Sequence, residues 1–532
     1  MDPTSNPTVH LQNLPPGCQP EPDELFDHIH RSLSRVTSRG SKGAAAANKR
    51  PLNREDVVSL DAPRTSDGHG PAGVCTDTEL EAGQQQPPSP PQPLGPLDTY
   101  TVDNDFPEGG LRAWLVVASA FTMAFASFGF MVSIGTLQDY WHTHQLAHLS
   151  SRDVGWIPSV FTYLSLALGL WVGPLFDRYG PRWIALLGSA GYLAMVFLLA
   201  ECTQFWHFLL CCGFLGGTSG AALTTTPLAV VAHWFNRRRG FAQGVVMIGS
   251  SFGGLTLPLI LQAALPRYGY AWSIRILGFI FTGCLVISNV LMKARIPPLS
   301  KRLKRRPSGS EDAAPGGEEK KKQEKQPIIS LAIFADLRFT LLTVSVFGFE
   351  IVLFSALGIL PTYATLAIPN YPPETTGFYL IAILNGASCL GRLGPGWLAD
   401  KAGRFNMLLL MTIFTLVWML ALWLPLGARS LGALYAFAAL FGFGTGGWMA
   451  LTPACVGQLC RTDEFGRYYG TMYFVASLAT LVCIPISGEL VESVGPTAYV
   501  VFLCAVLALS SVSFVFSRWA CLDKRWRIMA KV

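Results

Sequence analysis

Charged side chains are scarce in this chain of 532 residues. They make up 14% of it, against roughly 25% in an ordinary soluble protein. Most lie in the first 110 residues and in one central segment, which leaves long apolar blocks between short polar connections. Blocks of about 18 or more apolar residues predict membrane-spanning helices, because the hydrocarbon core of a bilayer is roughly 30 Å thick. The composition therefore argues against a soluble globular protein.

Other absences narrow the class further. The N-terminus is polar and lacks a basic region followed by an apolar one, so no secretory signal is predicted. The 12 cysteines include no Cys-x-x-Cys pair, which gives no sign of a disulfide framework or a metal site. No GxxxxGK[ST] sequence is present, so nothing indicates ATP-driven pumping, and no cofactor is expected.

The long apolar blocks predict an all-α polytopic membrane protein of twelve spans in two six-helix halves, residues 108–292 and 339–517. Residues 1–107 are rich in proline, serine, glycine and glutamine and predict a disordered tail. A basic stretch at 293–338 predicts a linker, and 518–532 a short C-terminal tail. The predicted spans are 112–137, 154–176, 183–201, 206–233, 241–263, 272–292, 339–366, 375–398, 406–425, 431–455, 467–488 and 495–517.

The distribution of basic residues predicts the orientation. Lysine and arginine cluster in the even-numbered connections and in the linker, and such clusters stay on the cytosolic side of a membrane. Both termini are therefore expected in the cytosol. The plasma membrane is the expected location, the lipid bilayer is an expected partner, and no role for nucleic acid is expected. The basic residues of these connections include Arg178, Arg182, Arg237, Arg238, Arg239, Lys401 and Arg404.

A repeat joins the two predicted halves. Gly173-Pro-Leu-Phe-Asp177-Arg178-Tyr-Gly180-Pro-Arg182 follows the second span, and Gly396-Trp-Leu-Ala-Asp400-Lys401-Ala-Gly403-Arg404 follows the eighth. A carboxylate at a helix end can pair with arginines of a neighbouring helix, which predicts a gating latch in each half. The alternative is that these loops mark topology and supply turn glycines. The paired loops resemble the cytosolic signature of the major facilitator superfamily.

Two further segments resemble signatures of the monocarboxylate-transporter family, in its fungal style. One is Glu108-Gly109-Gly110-Leu111-Arg112-Ala113-Trp114, and the other is Trp234-Phe-Asn-Arg237-Arg238-Arg239-Gly-Phe-Ala-Gln-Gly244. The resemblance covers about residues 105–520 and implies two six-helix bundles facing each other across a central cavity. It also implies proton-linked movement of small organic anions, or, among fungal relatives, vitamin uptake or export of secondary metabolites.

Two charges stand out in the interior of predicted spans. A charged side chain at mid-membrane costs at least about 2.5 kcal/mol on insertion scales, so it normally faces a cavity or a partner. Glu350 lies in span seven and Arg392 in span eight. The resemblance implies that Arg392 contacts a substrate carboxylate. The family's coupling aspartate is replaced by Ser388 and its first-span lysine has no counterpart, so Glu350 is the candidate proton carrier. The alternatives are a structural Glu350–Arg392 pair and a glutamate that is hydrogen-bonded within the packed helices.

Four more polar or aromatic residues are candidates to line a cavity, because each has an apolar body and a polar group. They are Tyr363, Asn385, Trp448 and Tyr473, in spans seven, eight, ten and eleven. Each could equally belong to a packed interior or an interfacial belt.

The sequence therefore predicts a secondary transporter that moves a small molecule by alternating access, and not an enzyme. Loss of the family's lysine and aspartate favours export of an organic or secondary metabolite, driven by an ion gradient that we expect to be protons. Proton-linked uptake of a monocarboxylate or vitamin is the alternative. A non-transporting membrane sensor, with the N-terminal tail as its signalling element, is the alternative from another class.

Overall fold

The computed structural model describes residues 106–296, 331–368, 373–525 and 530–531. The predicted N-terminal tail and most of the predicted linker lie outside these ranges. Within them the chain is helical, with no strand. The helices are α1 Leu111–Thr143, α2 Ser151–Ala167, α3 Gly169–Tyr179, α4 Pro181–Leu199, α5 Phe205–Phe208, α6 Gly217–Ala232, α7 Arg239–Leu291, α8 Leu337–Ala367, α9 Pro373–Ala402, α10 Arg404–Trp418, α11 Leu424–Leu426, α12 Leu431–Leu459, α13 Phe465–Ser493 and α14 Pro496–Cys521.

Two segments of wider π-helix continue short helices into full spans. Leu209–Gly216 joins α5 to α6, and Met419–Trp423 joins α10 to α11. The fifty-three residues of α7 form two arms that meet at Gly269, where φ is 73°. Residues with a side chain rarely adopt a positive φ value of this kind, so glycine permits the chain to reverse direction there. The two arms correspond to the predicted spans five and six.

Ten helical segments of the described residues are long and apolar enough to cross a membrane. They count α7 once and omit α9, so the predicted number of twelve spans stays a prediction. Two predicted boundaries need correction. Helix α8 begins at Leu337, inside the predicted linker, and α14 continues to Cys521, inside the predicted C-terminal tail.

Local sequence explains where several helices begin. The Ser150 hydroxyl accepts a hydrogen bond from the Asp153 N–H (3.1 Å), and the Asp336 carboxylate accepts one from the Arg338 N–H (2.9 Å). Both contacts satisfy N–H groups that lack a partner within the helix. Proline supplies the first residue of α4 and of α14, where its missing N–H costs nothing.

We call α1–α7 the first half and α8–α14 the second half. Each half has its own aromatic core. Phe130 packs edge to face against Phe161 and Phe281 in the first, and Trp423 packs against Phe437 and Tyr499 in the second. Large apolar side chains such as Leu187, Val290 and Leu509 point outward and are exposed, as lipid-facing residues are. Contact between the halves runs chiefly along α3 with α13 and α7 with α9.

Candidate functional site

Asp177, near the end of α3, binds the start of α13. Its carboxylate accepts hydrogen bonds from the backbone N–H groups of Gly466 (3.1 Å) and Arg467 (2.8 Å). The first N–H groups of a helix lack partners within it and carry partial positive charge, so a carboxylate is favoured there. Because α3 and α13 belong to different halves, this α3–α13 latch joins them.

Asp400, near the end of α9, makes the equivalent contact with the start of α7. It accepts hydrogen bonds from the backbone N–H groups of Gly240 (2.9 Å) and Phe241 (2.9 Å). This α9–α7 latch also joins the two halves. We call the end of the bundle that contains Asp177 and Asp400 the latch end.

The partners of these carboxylates correct the prediction from sequence. We expected arginine side chains of a neighbouring helix, and the structure shows backbone N–H groups instead. Arg178, Arg182 and Lys401 are exposed, and Lys401 lies over the Trp397 ring at 3.5 Å. Arg404 does contribute: it lies 3.7 Å from the Asp400 carboxylate and donates to the Asn236 carbonyl.

Glycines bring the helix backbones together at both latches. A Cβ atom on Gly173 would overlap the Gly466 carbonyl, and one on Gly470 would overlap the Gly169 carbonyl. At the other latch, a Cβ atom on Gly396 would lie 2.8 Å from the Gly240 carbonyl oxygen. Small residues permit such close approach of membrane helices.

The two segments that resemble monocarboxylate-transporter signatures contact each other. The Glu108 carboxylate accepts hydrogen bonds from the backbone N–H groups of Asn236 (2.9 Å), Arg237 (2.6 Å) and Arg238 (3.0 Å). Trp114 packs on Phe235 and Phe241, with ring centroids 5.3 and 6.0 Å apart. The segment before α1 therefore holds the loop that leads into α7.

The other residues of these signatures have different surroundings. Gly109 and Gly110 have φ values of 158° and 85°, and the second is a left-handed conformation that favours glycine. Arg237 and Arg238 are exposed, whereas Arg239 is buried. A Cβ atom on Gly244 would overlap the Arg392 carbonyl, which places this glycine at the α9–α7 contact.

Arg239 ties the first half to the second. Its guanidinium donates to the carbonyls of Ala232 (3.2 Å) and Phe235 (3.0 Å), at the end of α6 and just beyond it. It also donates to the Gly457 carbonyl in α12 (2.6 Å). Carbonyls at a helix C-terminus lack N–H partners and favour a cation.

Arg392 is buried between the two halves, with only 3% of its surface exposed. Its guanidinium donates to the Met247 carbonyl and to the Ser250 hydroxyl (2.6 Å) of α7, and approaches the Met449 sulfur of α12 (3.6 Å). Its Nε atom has no hydrogen-bond partner. Among the described residues, no carboxylate lies within ion-pair distance of Arg392. Burial of a guanidinium without a counter-ion is costly, so this group is suited to an anion from outside the chain.

Glu350 is also buried, with 4% exposed, and lies in the middle of α8. Its carboxyl interacts with the side chain of Tyr473 in α13. The adjacent Phe349 stacks on Trp448 of α12, with centroids 5.1 Å apart and planes 7° from parallel. Both Glu350 and Arg392 are described, and no ion pair joins them. The alternative of a structural Glu350–Arg392 pair was wrong.

The remaining two candidates lie in different places. Asn385, on α9, donates to the Ile381 carbonyl of its own helix (3.0 Å) and lies against Gly254 of α7. Tyr363 is thirteen residues beyond Glu350 on α8, which corresponds to about 20 Å along a helix. It packs against Trp423, within the aromatic core of the second half. The structure brings Glu350 and Tyr473 together and places Trp448 against the neighbouring Phe349. It brings Arg392 and Asn385 onto the α7–α9 contact, but it leaves Tyr363 apart.

Sequence reasoning missed several residues of this arrangement. Tyr469 adjoins Tyr473, Ser250 binds Arg392, and Gln243 is buried at the α9–α7 latch. Two signals in the sequence could have found them. Tyr469 and Tyr473 are four residues apart, which places them on one helix face, and Gln243 stands beside a glycine that meets α9.

A profile described as the Major Facilitator Superfamily matches residues 116–482. This match covers more than half of the chain, so the chain belongs to that superfamily, whose members move small molecules across membranes. It is therefore a multi-pass membrane transporter and not an enzyme. The predicted all-α fold and the predicted superfamily are confirmed, whereas the monocarboxylate-transporter subtype stays a resemblance.

Two curated relatives illustrate the range of the superfamily. The chain is 33% identical over 436 residues to the riboflavin transporter MCH5 of Saccharomyces cerevisiae, covering 79% of this chain and 81% of that protein. It is 33% identical over 412 residues to the aspyridones efflux protein apdF of Emericella nidulans, covering 76% and 78%. Among solved structures, the human organic anion transporter MFSD10 has a TM-score of 0.60 at 15% identity, over 76% of this chain and all of that one. At this identity the likeness shows the fold alone.

Proposed function

We propose that this protein exports a small acidic organic metabolite in exchange for protons, by alternating access at the plasma membrane, with both termini and the latch end in the cytosol. The observation that carries this proposal is the buried guanidinium of Arg392. It lies between the halves, contacts both α7 and α12, and lacks a carboxylate partner among the described residues. A cargo with a carboxylate or similar acid would supply that partner.

Two features support movement and coupling. The latches bind helix N-termini of the opposite half through hydrogen bonds from backbone N–H groups, which can break and form again as the halves rock. The carboxyl of Glu350 is buried in the middle of α8 and forms no ion pair with Arg392, which leaves it free to bind and release a proton. Glu350 therefore takes the role of proton carrier, at a distance from the residue that binds the cargo.

The direction of export is supported by the efflux relative and by the first span. Helix α1 offers no basic side chain between Ala113 and Gln138, so a second cationic contact for a small carboxylate is missing there. An amphipathic cargo with one acidic group fits a wall of this kind. Uptake is the second candidate, because another relative of similar identity is a riboflavin transporter.

The test compares three probes in yeast cells that express the protein: efflux of preloaded aspyridones, uptake of riboflavin and uptake of lactate. Each is measured with and without a protonophore, for the wild type and for the Arg392→Ala and Glu350→Gln variants. Arg429→Ala and Glu489→Gln are matched controls, because both side chains are exposed.

Export requires that efflux of aspyridones falls to background in Arg392→Ala, and that Glu350→Gln and the protonophore each reduce it by about tenfold or more. The two controls should stay within twofold of the wild type, as surface substitutions rarely matter. Riboflavin or lactate uptake that needs Arg392 and is insensitive to Glu350→Gln would contradict export and establish the second candidate.

A further inference from the structure

Two tyrosines of α13 form a row with Glu350. The side chain of Tyr473 interacts with the Glu350 carboxyl, and the side chain of Tyr469 interacts with that of Tyr473. The two rings lie on one face of α13, with centroids 4.6 Å apart. All three side chains are buried. The row therefore passes from the middle of α8 into α13 through the interior of the second half.

The row points toward one of the two latches. Tyr469 lies four residues nearer to the start of α13 than Tyr473, about 6 Å along the helix. Three residues before Tyr469 is Gly466, whose N–H is bound by Asp177. Tyr469 is thus the last buried hydroxyl before the α3–α13 latch on this face of α13.

The chemistry of phenol hydroxyls suits a proton path. Each hydroxyl can donate one hydrogen bond and accept another at the same time. A proton that arrives from water binds the Tyr469 oxygen while the original Tyr469 proton moves to Tyr473, and the Tyr473 proton moves to the Glu350 carboxylate. Both tyrosines are neutral before and after, and the net change is protonation of Glu350 by one proton from water.

No charged side chain interrupts the row. Among the described residues, Tyr473 is the ionisable side chain that interacts with the Glu350 carboxyl. The ionisable side chains that interact with the Tyr469 hydroxyl are Glu350 and Tyr473. Helices α8 and α13 therefore contribute the three groups of the row. Arg392 of α9 forms no ion pair with Glu350, so it does not hold the carboxylate in its charged form.

We propose that Tyr469 and Tyr473 conduct protons between Glu350 and the water at the α3–α13 latch, with Tyr469 as the entry group. The proposal rests on the proposed role of Glu350 as proton carrier. It assigns a function to Tyr469 and to the α3–α13 side of the molecule, which the binding of cargo at Arg392 does not use.

The test needs no cargo. Purified full-length protein in detergent is subjected to a rapid pH jump, and the carboxyl C=O band of Glu350 is followed by time-resolved infrared spectroscopy. Glu350→Gln identifies the band by its disappearance. Tyr469→Phe and Tyr473→Phe remove one hydroxyl each and keep the ring. The matched control is Tyr468→Phe, because Tyr468 is adjacent in sequence but packs against Phe339 and Arg467.

We expect protonation of Glu350 to slow by about tenfold or more in Tyr469→Phe and in Tyr473→Phe. Tyr468→Phe should stay within twofold of the wild type. Equal rates in Tyr469→Phe and the wild type, with the variant eluting as one folded species, would overturn the path. Absence of a titrating Glu350 band in the wild type would overturn both the path and the coupling role of Glu350. Slowed protonation in a protein that does not export aspyridones would leave the path standing and contradict the proposed export.

Discussion

The two latches have the same core but different surroundings. In each, an aspartate accepts two hydrogen bonds from the start of a helix in the other half, and that helix has two glycines four residues apart at the contact: Gly466 and Gly470 in α13, and Gly240 and Gly244 in α7. Four residues before the latch glycine, α3 has Gly169, whereas α9 has Arg392. The same contact between halves thus occurs twice, and a single residue distinguishes a backbone contact from the site that we propose for an anionic cargo.

The number of ties between the halves also differs. At the α9–α7 latch, Arg404 donates to the Asn236 carbonyl and Arg239 donates to the Gly457 carbonyl, in addition to the bonds of Asp400. At the α3–α13 latch, the neighbouring ion pairs Arg461–Asp463 (3.3 Å) and Arg467–Glu464 (3.0 Å) are local to one half. We therefore expect the α3–α13 latch to depend more heavily on its aspartate and on the close approach of its backbones.

The largest expected effect is that of a methyl group at the closest backbone contact. In Gly173→Ala the new Cβ atom would overlap the Gly466 carbonyl, which cannot move as a flexible side chain could. Overpacking costs about 1–3 kcal/mol, so the closed latch end should become roughly 10- to 100-fold less populated. Buried Cys460 is the reporter, because its thiol is within electrostatic range of both Arg239 and Asp177. Its alkylation rate, measured by peptide mass spectrometry, should rise accordingly.

The same helix geometry provides a graded series. Gly396→Ala at the other latch should have a smaller effect, because its Cβ atom would lie 2.8 Å from the Gly240 oxygen. Gly394→Ala is the control, since no atom lies within 4 Å of its Cβ position. Equal alkylation of Cys460 in all three variants would show that the latch end is not closed by these glycines.

The second prediction compares the two aspartates directly. Asp177→Ala removes both hydrogen bonds of its latch, whereas Asp400→Ala leaves the ties of Arg239 and Arg404 in place. Hydrogen bonds to a charged group contribute about 1.5–3 kcal/mol, so Cys460 alkylation should rise about tenfold or more in Asp177→Ala. The rise in Asp400→Ala should be smaller. A larger effect at Asp400 would reverse the ranking and assign the weaker closure to the α9–α7 latch.

Much of the fold could be predicted from the sequence, because long apolar blocks and their periodic polar connections follow directly from the thickness of a bilayer. The repeat also predicted which aspartates close the molecule. It could not predict their partners, because a backbone N–H group leaves no mark in a sequence. Arginines stood beside both aspartates and suggested ion pairs. The structure has capped helix termini at both, with an ion pair between Arg404 and Asp400 in addition.

The candidate site was predictable only in part, for a related reason. Glu350 and Arg392 are conspicuous as charges within apolar spans, and the structure confirms that both are buried. Their grouping was not predictable, since it depends on which helix faces meet. Glu350 faces α13 and Arg392 faces α7, so the two charges that a sequence invites one to pair belong to different contacts. Tyr363 shows the converse, as a polar aromatic residue that packs within one half.

The smallest expected effect has the opposite sign and concerns Gln243 of α7. Its side chain is 0% exposed at the α9–α7 latch, and neither amide atom has a hydrogen-bond partner. An unpaired buried group costs about 1–3 kcal/mol, and opening of the latch end should remove this cost by admitting water. Gln243→Leu should therefore stabilise the closed form and slow Cys460 alkylation by about three- to tenfold. Thr445→Val is the control, because the Thr445 hydroxyl bonds only carbonyls of its own helix. Faster alkylation in Gln243→Leu would mean that the amide supports the closed latch. The buried amide would then add no cost to closing the α9–α7 latch, and Arg392 would remain as the difference between the two latches.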